Sequence, residues 1–191
     1  QGVTPEAYLT PRDKNDINKD YTMAAAVFTA CFLNTLNRNC DIVGMANFAP
    51  IVNTRGCIYT HEGGIVLRST YHVFDLYVNH MGDQVLESWS EGGQTLTMPR
   101  KAGGEAQVEE LDMLITRHQD SGMYAISIIN KNPAESRAVT LPFADKDYRI
   151  LTVNGDSTES YNDVGITGVT LTEGPWQSAK GSISIEVAPH S

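Results

Sequence analysis

The chain has 191 residues, with 14 Lys and Arg against 23 Asp and Glu, which leaves a formal net charge of −9. That balance argues against a nucleic-acid partner and against an anionic membrane surface, both of which demand a basic face. Hydrophobic residues at 41% and charged residues at 19% support a packed core rather than an acidic disordered tail, and no apolar run reaches the roughly 18 residues of a membrane-spanning helix.

Residues 1–19 are polar, carry Pro5 and Pro11, and read as an irregular lead-in. Residues 23–33 (MAAAVFTACFL) predict a helix, rich in alanine and capped by Asp20 or Thr22. Its apolar residues surround nearly the whole circumference, so it needs packing partners on most sides. Asn34, Thr35, Asn37 and Asn39 close it, and Arg38 suits the negative end of the helix dipole. Residues 41–46 (DIVGMA) read as a short buried strand. A second helix is expected over 70–80 (TYHVFDLYVNH), with Val73, Phe74, Tyr77 and Val78 on one face and Gly82 as the glycine that ends it.

Beyond Gly82 the hydrophobic period changes to two. Leu111, Met113 and Ile115 alternate with Asp112, Leu114 and Thr116. Tyr124, Ile126 and Ile128 repeat the pattern after a turn at 120–122. Further strands are expected around 139–143, 149–153, 169–171 and 183–187, with a turn at Asn154-Gly155. Weaker ones are expected at 84–89 and 94–98. The fold class is therefore mainly β with two helices: an antiparallel sandwich over 83–191, preceded over 1–82 by a helix–strand–helix unit. That unit is too small to cover both faces of a parallel sheet by itself.

Cys31, Cys40 and Cys57 form no CxxC pair. Their odd number reads as reduced thiols in a cytoplasmic protein, with one bridge plus a spare thiol as the alternative. The first residues lack the basic, apolar and small-residue pattern of a signal peptide. His61, His72, His80, His118 and His190 show no metal-ligand spacing and read as structural or surface residues. Neither a GxSxG elbow nor a P-loop occurs, and Gly63-Gly64, Gly92-Gly93 and Gly103-Gly104 read as turns. Glu62, Asp75, Glu87 and Glu91 are available acids, but their local patterns pair none of them as a glycosidase would need. Trp89 and Trp176 could stack on sugar rings or simply fill the sandwich core or rim.

One segment carries a resemblance. Residues 33–56 (LNTLNRNCDIVGMANFAPIVNTRG) and 70–77 (TYHVFDLY), within 20–80, resemble the C-terminal end of the catalytic domain in glycoside hydrolase family 51, the α-L-arabinofuranosidases. Residues 83–191 resemble that family's C-terminal sandwich more loosely. The resemblance implies a (β/α)8 barrel, of which the helix–strand–helix unit would be the remnant, followed by a jelly-roll-like sandwich. It also implies retaining hydrolysis of α-L-arabinofuranosyl groups from arabinose-containing oligosaccharides or polysaccharides, by two glutamates on barrel strands 4 and 7. Residues 20–38 would follow strand 7, residues 41–46 would be strand 8, and residues 70–80 would be the last barrel helix. Both catalytic glutamates would then lie upstream of Gln1, so no catalytic residue is expected in this chain, nor any metal or cofactor.

The implied partners are the sugar substrate, the upstream barrel portion and further copies in a homo-oligomer. Of the sugar site, the chain would contribute the mouth of strand 8 at residues 46–50. Pro50 stands where many members carry a glutamine that bonds the arabinose, a contact proline cannot make. Asn47 is the remaining polar candidate, or else a loop asparagine bonding its own backbone. Members usually continue past the final APHS turn into one more strand, which would leave a sandwich edge open here. An inactive fragment, a carbohydrate-binding module and a purely structural module are the roles left for the chain itself.

Overall fold

A computed structural model describes residues 17–143 and 145–191, so most of the expected lead-in lies outside the described residues. After a short 3-10 turn at Asn18–Asp20, helix α1 spans Met23–Arg38 and α2 spans Ser69–His80. Between them, β1 (Ile58–His61) and β2 (Gly64–Leu67) form a hairpin. The remaining strands are β3 (Gln84–Leu86), β4 (Thr95–Pro99), β5 (Glu105–Glu109), β6 (Leu111–Arg117), β7 (Tyr124–Asn130), β8 (Arg137–Leu141), β9 (Asp147–Tyr148) and β10 (Leu151–Gly155). They continue as β11 (Asn162–Asp163), β12 (Ile166–Thr167), β13 (Val169–Glu173), β14 (Gln177–Ser178) and β15 (Ile183–Val187). Every ladder between these strands is antiparallel. The protein is mainly β with two helices.

The molecule is organised around the sheet β3–β6–β7, which is covered on both faces. On one face Leu111, Met113, Ile126 and Ile128 pack against Val139, Leu141 and Ile183 of the β8–β15 pair. The alternate residues, Asp112 and Ser127 among them, turn towards the helices. Leu114 and Thr116, on the same side as Asp112, are buried as well, so both faces of β6 are covered. A second core joins Met23, Ala26 and Val73 of the helices to Val153 and Val169 of the β10–β13 pair. Each such buried Val or Met contributes roughly 1.5–3 kcal/mol by leaving water.

The helices are held on the sandwich by polar contacts as well. Neither Thr22 nor Asp20 caps α1 with its side chain: the N–H groups of Met23 and Ala24 donate to the carbonyls of Ser160 and Thr158, at 2.9 and 3.0 Å. Deeper in, Ser127 Oγ lies 2.9 Å from the Tyr77 hydroxyl, which donates to Asn34 Oδ1 at 2.5 Å. Asn34 is fully buried and donates in turn to Asp112 Oδ1 at 2.9 Å, and Arg38 pairs with the same carboxylate.

Three local expectations are corrected. Residues 41–46 form no strand, because a strand needs a ladder and no described residue pairs with them; Ile42 and Met45 instead stand exposed. Gly82 is not a left-handed helix end. Its backbone passes so close to β6 that an added Cβ would sit 2.3 Å from the Arg117 carbonyl carbon, so only glycine fits. Asn154-Gly155 is not a turn but the end of β10, paired with Thr170 and Val169. Of the strands, β1, β2, β5 and the two-residue β9, β11, β12 and β14 were not anticipated. β15 pairs with β8, while His190 and Ser191 return to hydrogen-bond Asn132 and Asn130.

Candidate functional site

The residues singled out as the mouth of a barrel strand lie on an irregular segment, 43–50, followed by a tight loop over 51–57 that leads into β1. Asn47 and Pro50 are both exposed there, and no hydrogen bond holds the Asn47 side chain among the described residues. Between them, the ring of Phe48 packs on Phe74 of α2 with centroids 5.1 Å apart, which anchors the segment to the helix.

The following loop is built rigidly. The N–H of Ile58 donates to the Ile51 carbonyl at 3.1 Å, and the N–H of Asn53 donates to the Ile58 carbonyl at 2.7 Å. Asn53 Oδ1 accepts the Thr60 N–H at 2.8 Å. Asn53 and Thr54 both adopt left-handed backbone conformations, with φ of 56° and 44°, a strain that persists only where the surroundings enforce it. Gly56 makes the closure possible, since a Cβ there would lie 2.4 Å from the Ile51 carbonyl group.

Beneath this loop lies Arg68, a residue that sequence reasoning missed. It immediately precedes α2 and is wholly buried. Its Nε donates to Asn18 Oδ1 at 2.8 Å, and Nη1 donates to the carbonyls of Gly56 and Thr54 at 2.5 and 3.3 Å. The guanidinium lies over the Tyr21 ring at 4.0 Å and within 5.7 Å of the Tyr59 ring centroid. Carbonyl dipoles and aromatic faces thus compensate a buried cation. The one available signal in the sequence was a lone arginine between the apolar strand GIVL and a helix start.

The acids do not form a catalytic pair. Glu62, Glu87 and Glu91 are exposed, and Asp75 accepts a hydrogen bond from Asn79 on the surface of α2. Glu110 is the one fully buried carboxylate among the described residues. Arg137 and Asn132 bind its two oxygens, and the hydrogen bond from Arg137 holds its carboxyl below the ordinary range. A group held ionised in this way cannot serve as a proton donor. It locks the base of the β4–β5 hairpin, where Arg137 also reaches Gln94 Oε1 at 3.2 Å.

The histidines are structural or superficial. His190 is buried, and its two nitrogens lie 3.1 and 3.0 Å from the carbonyls of Pro133 and Gly155. His61 and His72 line a shallow depression of about 400 Å³ between β2 and β11–β13, and burial pushes the His72 imidazole down. No group of three His, Cys, Asp or Glu could hold a metal ion among the described residues. Trp89 and Trp176 are both exposed rather than in the core.

The geometry defines a class: an antiparallel sandwich with a docked helix pair and a tightly hydrogen-bonded loop over 51–57, without an acid–base pair among the described residues. Residues 3–191 match the family model described as the α-L-arabinofuranosidase C-terminal domain, and the chain belongs to that family. The enzymes concerned are those of glycoside hydrolase family 51. Among curated relatives, the probable α-L-arabinofuranosidase C of Aspergillus fumigatus is 26% identical over 160 residues, 83% of this chain and 32% of its own length. The Aspergillus niger protein of the same description is 26% identical over 164 residues, 84% and 32% of the two chains. The chain thus spans about a third of the curated relatives it matches.

Among solved structures, the Thermotoga maritima α-L-arabinofuranosidase in complex with arabinose superimposes with a TM-score of 0.80 at 22% identity, over 92% of this chain and 38% of that one. The Thermotoga petrophila family 51 enzyme gives 0.77 at 22% identity, over 93% and 38%. At these identities the likeness is one of fold.

Proposed function

We propose that this chain is the C-terminal part of a retaining α-L-arabinofuranosidase that removes terminal α-L-arabinofuranosyl groups from arabinose-containing oligosaccharides or polysaccharides. In this reading the reaction is a double displacement by two glutamates carried outside the chain, and the chain alone is inactive. Residues 1–82 close a catalytic barrel and residues 83–191 form the accompanying sandwich. The loop at 46–56 contributes to the sugar site, with the Asn47 amide as hydrogen-bonding group and Pro50 as an apolar wall. Proline in that position offers the sugar no donor, so specificity there comes from shape.

The observation that carries the reading is an apolar surface that the described chain leaves uncovered. Phe28 and Phe32 on α1 are 72% and 53% exposed, and Ile42, Met45 and Ile51 follow on the next segment. Such a set on a helix and a strandless stretch is what a neighbouring barrel would bury. The same surface supports assembly into a homo-oligomer, and the three free thiols support a reducing, cytoplasmic setting.

The test is turnover of an aryl α-L-arabinofuranoside. The purified chain is expected to show none, and co-expression with the remaining portion of the enzyme is expected to give activity. Hydrolysis by the chain alone would overturn the assignment of catalysis to residues outside it. With the complete enzyme, Asn47→Ala is expected to raise KM for the arabinoside about tenfold, the worth of one hydrogen bond to a polar ligand.

A further inference from the structure

We infer that the corner formed by Arg149 and Trp176 is a second sugar-binding site, a stacking platform for a neutral glycan chain on the sandwich. Trp176 follows β13 and Arg149 precedes β10, at the break between two ladders of the same two segments: Leu151 pairs with Glu173, and Tyr148 pairs with Gln177. The two connecting corners therefore face each other. They are fastened together by the Gly174 N–H, which donates to the Ile150 carbonyl at 2.8 Å, and Pro175 stiffens the approach to the tryptophan.

The guanidinium of Arg149 lies 5.2 Å from the Trp176 ring centroid, over one face, and it is paired with Glu173. Trp176 is nevertheless 60% exposed, so much of its ring stands open to solvent. A rigid aromatic face, already oriented by a cation–π contact, requires little ordering when a ligand arrives.

The rim chemistry indicates the ligand. Arg149 presents N–H donors, Glu173 a carboxylate, and Gln177 an amide N–H₂ whose own oxygen already accepts the Tyr148 hydroxyl at 3.1 Å. A flat apolar face bordered by planar donors and acceptors matches a sugar ring, which has a C–H face and a belt of hydroxyls. The Arg149 charge is offset by Glu173 within a chain of net charge −9, which disfavours glycans rich in uronic acids. Trp89, at 78% exposure, makes no ring or cation contact among the described residues and serves as a control. That the glycan bears arabinose rests on the function proposed above; the platform itself does not.

Affinity electrophoresis of the 191-residue chain through gels containing debranched arabinan, arabinoxylan, unsubstituted xylan or polygalacturonate tests the site, with thermal melts confirming that each variant is folded. At least one neutral glycan is expected to retard the wild type. Trp176→Ala is expected to weaken retardation about tenfold, the loss of one stacking contact, and Arg149→Ala to weaken it as well, while Trp89→Ala leaves it unchanged. Equal retardation of Trp176→Ala, no retardation by any neutral glycan, or retardation by polygalacturonate alone would overturn the proposal. Binding needs no turnover, so the outcome is independent of the hydrolysis assay. Trp176-dependent binding to unsubstituted xylan but to neither arabinose-bearing glycan would uphold the platform while counting against the arabinose reading.

Discussion

Among single residues, Tyr77 does the most to connect the helices to the sandwich. Its hydroxyl touches Asn34, Ser127 and the Ala30 carbonyl, and burial pushes its phenol well above the ordinary tyrosine range. Replacement by Phe leaves the buried Asn34 oxygen without its donor, which costs roughly 1–3 kcal/mol and is measurable as a lower urea midpoint at unchanged slope. The raised value means that the neutral phenol is favoured by folding. Its contribution is therefore complete below the unfolded tyrosine value near 10 and is lost as pH rises beyond it. Glu110 carries the opposite sign. Its depressed carboxyl contributes stability above the ordinary value of 4.5, and that contribution disappears as pH falls through the lower folded value. Glu110→Gln is expected to flatten the acid limb of a stability-against-pH curve. The thiols sort by environment. Burial and the Asp112 carboxylate push Cys31 up to about 11, and burial also raises Cys57, whereas Cys40 is exposed. Thiol-specific labelling near pH 8 is expected to modify Cys40 first, the half-buried Cys31 more slowly, and the buried Cys57 only as the fold opens.

At the level of elements, the start of α1 separates two ways of capping a helix. An ordinary threonine cap is worth about 0.5–2 kcal/mol. Here the first N–H groups are taken by the carbonyls of Thr158 and Ser160, so Thr22→Ala is expected to change stability by less than about 0.5 kcal/mol. The tie instead depends on the segment that presents those carbonyls, which leads into Asn162. That buried side chain donates to the carbonyls of Leu67 and Val169 and accepts the Val169 N–H. Asn162→Ala would strip three backbone groups of their partner and is expected to cost roughly 3 kcal/mol, read by chemical denaturation. The comparison of the two variants locates the cap in tertiary structure rather than in the residue next to the helix.

For the whole molecule, the decisive feature is an imbalance between apolar surface and what covers it. The helix pair buries Met23, Ala26 and Val73 against the sandwich but leaves the stacked rings of Phe28 and Phe32, 6.3 Å apart, in water. Sedimentation of the chain is expected to show concentration-dependent association, and Phe28→Ser with Phe32→Ser is expected to reduce it without lowering the melting temperature, since neither ring belongs to the two cores.

The two helices, the main sandwich strands and the family were legible from the sequence, because periodicity and propensity are local and MANFAPIVNTRG with YHVFDLY is a distinctive series. The demand of residues 23–33 for partners on most sides was also legible, since it follows from apolar residues all round one helix. Which of those partners the chain itself supplies was decided only in three dimensions. The strand expected at 41–46 is absent because a ladder is a property of two segments and not of one. Arg68 stands under the 51–57 loop because Asn18, Tyr21, Gly56 and Tyr59 converge on it in the fold. Trp176 and Arg149 meet because two antiparallel pairs place their corners together. Local sequence sets what each segment prefers, whereas burial, charge compensation and close backbone approach depend on contacts between residues far apart along the chain, and those exist only in the folded structure.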